Sequence, residues 1–224
     1  MSQTSAADFE RLLIACHDIS GMFPQGIVYI GGIAVYLHAI NAETAKPFAE
    51  FTHDADLYIS MAEMSDLRDI EEVTQNSRLS KHQLIKGGFE FDIYTERHAA
   101  LPVAYDAVIA HAVKYDGLQV ACLEHLFVLK LNAYKDRHKS AKGQKDAKDL
   151  VRIALVAEAA GEGSFRSEMA AAYLGDADIA FLQRVEKGPE IHAMAKGNSF
   201  AAKKLRQAFS RIVSEQIRLH DRAR

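Results

Sequence analysis

A chain of 224 residues that is 49% hydrophobic and 25% charged has the composition of one large or two small globular domains. This composition excludes wholesale disorder, and no stretch reaches the roughly 20 apolar residues of a membrane-spanning helix. The N-terminus lacks a charged segment followed by an apolar run, so we expect no signal peptide. We therefore expect a soluble, cytoplasmic protein without membrane contact.

The formal net charge of −3 hides an uneven distribution of charge along the chain. Residues 43–72 carry nine acidic and two basic side chains, a balance of −7. Residues 130–152 carry eight basic and three acidic side chains, and residues 200–224 carry seven and two, so each segment has a balance of +5. An acidic centre between basic segments suits metal ions that meet a polyanionic substrate, although ordinary charged helix surfaces would give the same counts.

Alternating helices and strands are predicted for the first part of the chain. Apolar residues recur at helical spacing over 6–19, and short apolar runs bounded by glycine or proline indicate strands. The predicted elements are a helix over 6–19, a strand over 27–30, a helix over 33–40, a loop over 42–51, a strand over 55–60 and a helix over 62–75.

Two glycine-containing turns predict hairpins in the next segment. Gly87-Gly88 separates strands over 80–86 and 89–95, and Asp116-Gly117 separates two short strands within 108–120. Apolar and polar residues alternate along the strand over 89–95, which places Asp92 on its polar face.

From residue 122 onward the pattern is helical. We predict a helix from about 123, a basic linker over 137–144, a helix over 146–160, and three or four more helices over 164–222. The prediction is an α+β fold, with a mixed β-sheet flanked by helices in residues 1–121 and a helical C-terminal region in residues 122–224. Cys16 and Cys122 lie in apolar stretches and match neither zinc nor disulfide spacing, so we expect buried free thiols.

The most informative feature is the pair Asp54 and Asp56 at the strand predicted over 55–60. Side chains two apart on a strand share a face, and two carboxylates held that close repel unless a positive charge lies between them. Hard oxygen ligands favour Mg²⁺. The alternative is that an Asp-x-Asp at a strand start only forms a turn.

Asp92 extends this pair to a trio of candidate metal ligands. Together Asp54, Asp56 and Asp92 could bind two divalent ions about 3.5–4 Å apart, as in-line phosphoryl displacement requires. Asp54 and Asp56 would bridge both ions, and Asp92 would hold the ion on the attacking hydroxyl and help to take its proton.

Glycines and lysines offer candidate phosphate contacts. Gly31-Gly32 follows a strand and opens a helix, so backbone N–H groups could approach a phosphate closely. The alternative is a tight turn that needs glycine only for its dihedral angles. Lys130 and Lys135 on the helix after residue 122 could reach triphosphate oxygens, whereas the alternative is surface ion pairing and packing of lysine stems over apolar surface.

Three segments together resemble the polymerase-β-type nucleotidyltransferase superfamily. They are Gly31-Gly32 opening a helix, Thr52-His53-Asp54-Ala55-Asp56-Leu57, and Phe91-Asp92-Ile93. The later segments Glu124-His125-Leu126-Phe127-Val128-Leu129-Lys130-Leu131 and Lys145-Asp146-Ala147-Lys148-Asp149-Leu150, with Arg137 between them, are similar to the AbiEii-like branch of bacterial type IV toxin–antitoxin systems. The resemblance covers roughly residues 26–155 and does not extend to the helices beyond 160.

The resemblance implies two Mg²⁺ ions and transfer of a nucleotidyl group from a nucleoside triphosphate to an acceptor hydroxyl. Carried over by position, Asp54, Asp56 and Asp92 would form the metal site and Lys130 would support the phosphates. Four residues would contact the nucleotide: Gly31, Gly32, Thr52 and Lys135. The family also implies an RNA acceptor, notably a tRNA 3′ end, which the basic segments could bind, and an antitoxin protein as partner.

The chain departs from the family pattern at Glu50 and Ala55. Glu50 occupies a position where many members carry an arginine, so one phosphate or substrate contact does not carry over. Ala55 replaces a bulkier apolar residue between the acids and leaves the metal chemistry intact. Two rival functions therefore stay open: a catalytically weak nucleotide- or RNA-binding module, and a metal-dependent phosphohydrolase that uses the same carboxylates.

Overall fold

The structure, a computed structural model, describes most of the chain. The described residues are 4–76, 81–98, 101–161 and 163–223. The chain divides into two compact units, one of Met1–Leu37 with Glu50–Cys122 and one of His38–Ala49 with Leu123–Arg224. Whether residues 1–121 and 122–224 fold as separate domains stays a prediction.

Helices and strands alternate through residue 122. In chain order they are α1 (Ala6–Met22), β1 (Ile27–Tyr29), α2 (Gly32–Ile40), a short 3-10 helix (Lys46–Phe48), β2 (Asp54–Ile59), α3 (Met61–Ile70), β3 (Val73–Asn76), β4 (Lys81–Lys86), β5 (Phe89–Thr95), α4 (Tyr105–Ala110), β6 (Val113–Tyr115) and β7 (Leu118–Val120).

The strands of the first unit form one mixed sheet. Among the described residues it has seven strands in the order β3-β4-β5-β2-β1-β7-β6. β2 runs parallel to β5 and β1 runs parallel to β7, whereas the other neighbouring pairs are antiparallel. Helix α1 contacts β7, and helix α4 contacts β1. The predicted α+β fold with a mixed, helix-flanked sheet is therefore confirmed.

Around residues 54–57 of β2 and along β5 the sheet has one apolar face, because apolar and polar residues alternate there. On β2, Ala55, Leu57 and Ile59 are fully buried, and Phe91 and Ile93 lie beside them on β5. Side chains two apart on a strand point the same way, so this packing turns the intervening acidic residues to the opposite face. The alternation predicted for residues 89–95 is confirmed.

Both predicted hairpin turns are present. The turn between β4 and β5 has Gly87 at φ 60° and Gly88 at φ 84°, and the turn between β6 and β7 has Asp116 at φ 48° and Gly117 at φ 80°. Two successive positive φ angles match the right-handed twist of the flanking strands.

The C-terminal region is helical, as predicted. Its helices are α5 (Leu123–Arg137), α6 (Ala141–Ala160), α7 (Ser167–Ala171), α8 (Asp176–Lys187), α9 (Glu190–Met194) and α10 (Ser199–Arg222). α5 packs against α6, and α10 packs along α6, α7 and α8. None of the described helices is both long enough and apolar enough to traverse a bilayer.

Three predicted boundaries are wrong. The helix predicted over 62–75 ends at Ile70, because residues from Val73 pair with β4 as a strand and this pairing overrides helical periodicity. The basic linker over 137–144 is mostly helix: the Ser140 hydroxyl accepts the Gly143 N–H at 3.1 Å and starts α6 at Ala141, ahead of the predicted start. Part of the strand region predicted over 108–120 belongs to α4. Residue 80 lies outside the described residues.

Both cysteines are buried free thiols, as predicted. Cys16 lies on the buried side of α1, where burial raises the pKa of its thiol to about 12. The sulfur is therefore protonated and belongs to the apolar core.

Candidate active site on the acidic face of the sheet

The parallel pairing of β2 with β5 brings the predicted acidic residues to one face. The register aligns Asp56 with Asp92 and Asp54 with Glu90. Because aligned residues on neighbouring strands share a face, all four carboxylates project from the same side of the sheet. Asp92 therefore lies beside Asp54 and Asp56 on the polar face, where the sequence placed it.

Thr52 orients the carboxylate of Asp54. Its hydroxyl donates a hydrogen bond of 2.6 Å to Asp54 Oδ1, and its side chain is fully buried. A buried donor on a carboxylate restricts the rotation of that group. Thr52 also touches the glycine turn, since a Cβ at Gly32 would lie 2.9 Å from the threonine hydroxyl oxygen.

Gly31 leaves the space that the carboxylate of Asp56 fills. A Cβ at this position would lie 1.9 Å from Asp56 Oδ2, a distance that no side chain tolerates. The backbone is joined there as well, because the Ile30 N–H donates to the Asp56 carbonyl at 3.0 Å. Neither Gly31 nor Gly32 has a positive φ angle, so these glycines are required for room and not for their dihedral angles.

Asp92 is held by two side chains of β4. The Lys81 ammonium forms a salt bridge with Asp92 Oδ2, and Gln83 Nε2 donates to Asp92 Oδ1 at 3.1 Å. The pair is largely buried, with side-chain exposures of 10% for Lys81 and 17% for Asp92. Both oxygens of this carboxylate therefore have partners from the sheet itself.

Two residues of this face, Asp54 and Asp56, have the donor atoms that Mg²⁺ prefers. Asp54 and Asp56 offer hard carboxylate oxygens from one strand, and the absence of a side chain at Gly31 makes room for the carboxylate of Asp56. Across the described ranges, however, no three His, Cys, Asp or Glu side chains gather closely enough to hold one metal ion. The metal-binding roles of Asp54, Asp56 and Asp92, and the number of ions, stay predictions.

Sequence reasoning missed Lys81 and Gln83, although the hairpin contained the signal. A two-residue turn at Gly87-Gly88 fixes the register of the strands on both sides and pairs Gln83 with Asp92. Lys81 lies two residues further on and shares that face.

Lys130 belongs to a buried ion network of the second unit. Its Nζ lies 2.8 Å from Asp149 Oδ2 and 3.5 Å from Asp146 Oδ1. Lys135 Nζ lies 2.6 Å from Asp178 Oδ1. The ion pairs of Lys130 are buried and differ from the surface pairs that the sequence left open as the alternative. The predicted phosphate contacts of both lysines stay predictions.

Two arginines complete this network. Arg137 donates to both oxygens of Asp146 at 2.7 and 3.0 Å, and Arg152 Nη1 donates to Asp149 Oδ1 at 2.6 Å. Burial alone would raise the pKa of Asp149, but the ammonium of Lys130 and the guanidinium of Arg152 hold that pKa below its ordinary value.

Comparison with known proteins gives a distant likeness only. No protein-family model matches the chain, and no curated protein sequence matches it significantly. A provisionally named nucleotidyltransferase from H. pylori aligns at 14% identity and TM-score 0.49, covering 97% of this chain and 95% of its own.

Two further crystal structures align over similar lengths. An antigenic nucleotidyltransferase-like protein from Paracoccidioides brasiliensis aligns at 14% identity and TM-score 0.49, covering 88% of this chain and 95% of its own. JHP933 from Helicobacter pylori aligns at 13% identity and TM-score 0.45, covering 99% of this chain and 94% of its own. At these identities and scores the likeness carries no inference about activity.

Proposed function

We propose that this protein is a metal-dependent nucleotidyltransferase that moves a nucleotidyl group from a nucleoside triphosphate to an acceptor hydroxyl. One observation carries the proposal: Asp54, Asp56 and Asp92 share one face of two parallel strands, and Gly31 leaves room for the carboxylate of Asp56. The resemblance of the segments around these residues to the polymerase-β-type superfamily supports the same reaction.

Each residue of the site would have one task in this reaction. Asp54 and Asp56 would hold Mg²⁺, which supplies charge stabilisation for the triphosphate and the attacking oxygen. Thr52 keeps the Asp54 carboxylate in one orientation through its hydrogen bond of 2.6 Å. Asp92 would accept the proton of the acceptor hydroxyl. Gly31-Gly32, which opens α2, offers backbone N–H groups to the triphosphate.

The acceptor and partner are proposed from the resemblance to the AbiEii-like branch. An RNA with a free 3′ hydroxyl, such as a tRNA, would suit the basic segments 130–152 and 200–224 through phosphate contacts. An antitoxin protein is the corresponding partner. The RNA acceptor and the antitoxin partner are separate from the reaction itself. Either could be wrong while the protein still transfers a nucleotidyl group.

The test of the reaction uses labelled nucleotides. Purified protein is incubated with each α-³²P-labelled nucleoside triphosphate, Mg²⁺ and total RNA, and label on RNA is followed on a denaturing gel. We expect labelled RNA with the natural protein and none with Asp54→Ala or Asp56→Ala. Glu90→Gln is the matched control, because it removes an exposed carboxylate from the same face. Transfer retained in either aspartate variant refutes the proposal.

One observation favours a second candidate, a nucleotide-binding module with little catalysis. Asp92 is ion-paired with Lys81, which competes with a role in holding a metal or taking a proton. Calorimetry with a triphosphate, with and without Mg²⁺, separates the two, since binding without transfer to any acceptor supports the module. Parallel reactions with γ- and α-labelled nucleotide identify a phosphohydrolase, which would release γ-phosphate and leave the RNA unlabelled.

A further inference from the structure

The acidic face carries a salt bridge between Lys81 and Asp92, and its lysine has no part in the proposed reaction. Lys81 lies on β4 and Asp92 on β5, and the antiparallel register puts both on the face that carries Asp54 and Asp56. The lysine therefore brings a positive charge to the third carboxylate of the proposed metal site. The strands β2, β4 and β5 contribute four carboxylates and one ammonium to this face.

Burial makes this ion pair more than a surface contact. The two side chains are 10% and 17% exposed, and removing one partner of such a pair leaves a poorly solvated charge behind. Gln83 fixes the other oxygen of Asp92 at 3.1 Å, so the carboxylate has one defined orientation. A divalent cation that bound Asp92 would have to displace the Lys81 ammonium from the carboxylate.

We propose that the Lys81 ammonium takes the place of a second divalent cation, so that this face binds one divalent ion, at Asp54 and Asp56. The inference rests on the proposed nucleotidyl transfer and deepens it, because it makes Lys81 a positioning residue that acts through Asp92. It agrees with the finding that no three metal-ligating side chains gather in the described part of the chain. The two ions implied by the family resemblance would then be one ion and one lysine.

The test counts bound ions without requiring activity. The full chain is titrated with Mn²⁺ alone, and free Mn²⁺ is measured by electron paramagnetic resonance. We expect one bound Mn²⁺ per chain, lost in Asp54→Ala. In Lys81→Met a second Mn²⁺ should bind, because Asp92 regains a carboxylate oxygen for the metal, and the double variant Lys81→Met with Asp92→Asn should return to one.

Two controls separate the role of Lys81 from a general loss of charge. Lys86→Met removes a lysine of the same strand that pairs with Glu71 instead, and its count should stay at one. Lys81→Arg keeps a cation beside Asp92 and should also stay at one. If Lys81→Met does not fold, Lys81→Gln takes its place, because the amide removes the charge and keeps a hydrogen-bond donor beside Asp92, and the same second Mn²⁺ should bind.

The possible outcomes distinguish this inference from the proposed function. Two ions on the natural protein, or one ion on a folded Lys81→Met variant, overturn the role of Lys81 and leave nucleotidyl transfer standing. No Mn²⁺ bound by the natural protein overturns the inference, whereas labelling of RNA without any added divalent cation overturns the metal dependence of the proposed reaction.

Discussion

Two groups of charged residues in this protein differ in how far their carboxylates are buried and paired with cations. The acidic face of the sheet gathers Asp54, Asp56, Glu90 and Asp92 on two parallel strands. The ion network of α5 and α6 instead sets Asp146 and Asp149 against three cations, Lys130, Arg137 and Arg152. In the network each carboxylate is fully buried and touches a lysine and an arginine, whereas the carboxylates of the face are part-exposed or exposed.

The difference teaches where charge supports the fold and where it remains available for chemistry. A buried carboxylate matched by cations of its own unit stabilises the packing of α5 on α6, and losing it leaves those cations uncompensated. Carboxylates aligned on one sheet face repel one another, which costs stability unless a cation is bound. Substitutions in the network should therefore reduce stability, and substitutions of the three aspartates on the face should reduce activity.

The largest expected effect is the loss of Asp149 from the network. Asp149→Asn leaves the buried Lys130 ammonium and Arg152 guanidinium without their shared carboxylate, and should lower the free energy of unfolding by about 3–5 kcal/mol. Urea unfolding at pH 7 measures this change. An effect below about 1 kcal/mol, the size typical of surface pairs, would show that the network contributes no more than they do.

The next effect concerns the acidic face. Gly31→Ala would place a Cβ 1.9 Å from Asp56 Oδ2 and force that carboxylate to move. Mispositioning a metal ligand costs about 10–100-fold in metal affinity or activity, so the transfer rate should fall by that factor while the protein stays folded.

Gly21→Ala is the matched control for this change. A Cβ at Gly21 on α1 has nothing within 4 Å, so activity should be unchanged. Its stability should rise by about 0.5–1 kcal/mol, because alanine is the better helix former. Equal transfer by both alanine variants would contradict the assignment of Gly31 to the site.

The sequence predicted the face better than it predicted the network. Period-two alternation and the glycine turn were enough to place Asp92 on the polar side of a strand, since both are local signals. Its parallel pairing with the strand of Asp56 was not fixed by either signal, because it joins residues far apart in the chain and depends on the whole sheet. Lys81 was overlooked although its register follows from the same turn.

The network was overlooked because the ion pairs of Lys130 and Arg137 cross from α5 to α6, although the pair of Arg152 with Asp149 lies within α6. Lys130 interrupts an apolar stripe, and nothing in that spacing names Asp149 on the next helix as its partner. The start of α6 was misplaced for a related reason: a serine cap at Ser140 outweighs the basic composition that suggested a linker.

A smaller effect should appear in the pH dependence of stability. The folded-state pKa of Asp149 is below its unfolded value, so its contribution is present above about pH 4 and is lost as pH falls through the folded pKa. The destabilisation of Asp149→Asn should therefore shrink toward zero in acid, by at most about 1.4 kcal/mol per pH unit for one proton. Urea unfolding of both proteins from pH 7 to pH 2.5 measures the difference, and a constant difference would contradict the lowered pKa.

The smallest effect should come from an exposed ion pair of Glu158, which lies on α6 as Asp149 does. Arg211 Nη1 lies 2.5 Å from Glu158 Oε1, but the arginine side chain is 69% exposed and water can replace it. Arg211→Met should cost about 0.2–1 kcal/mol, and 1 M salt should remove most of that cost. Asp149→Asn should keep its cost in salt, because buried pairs are screened much less. If both variants lost the same free energy and responded alike to salt, burial would not be what separates the network from the surface.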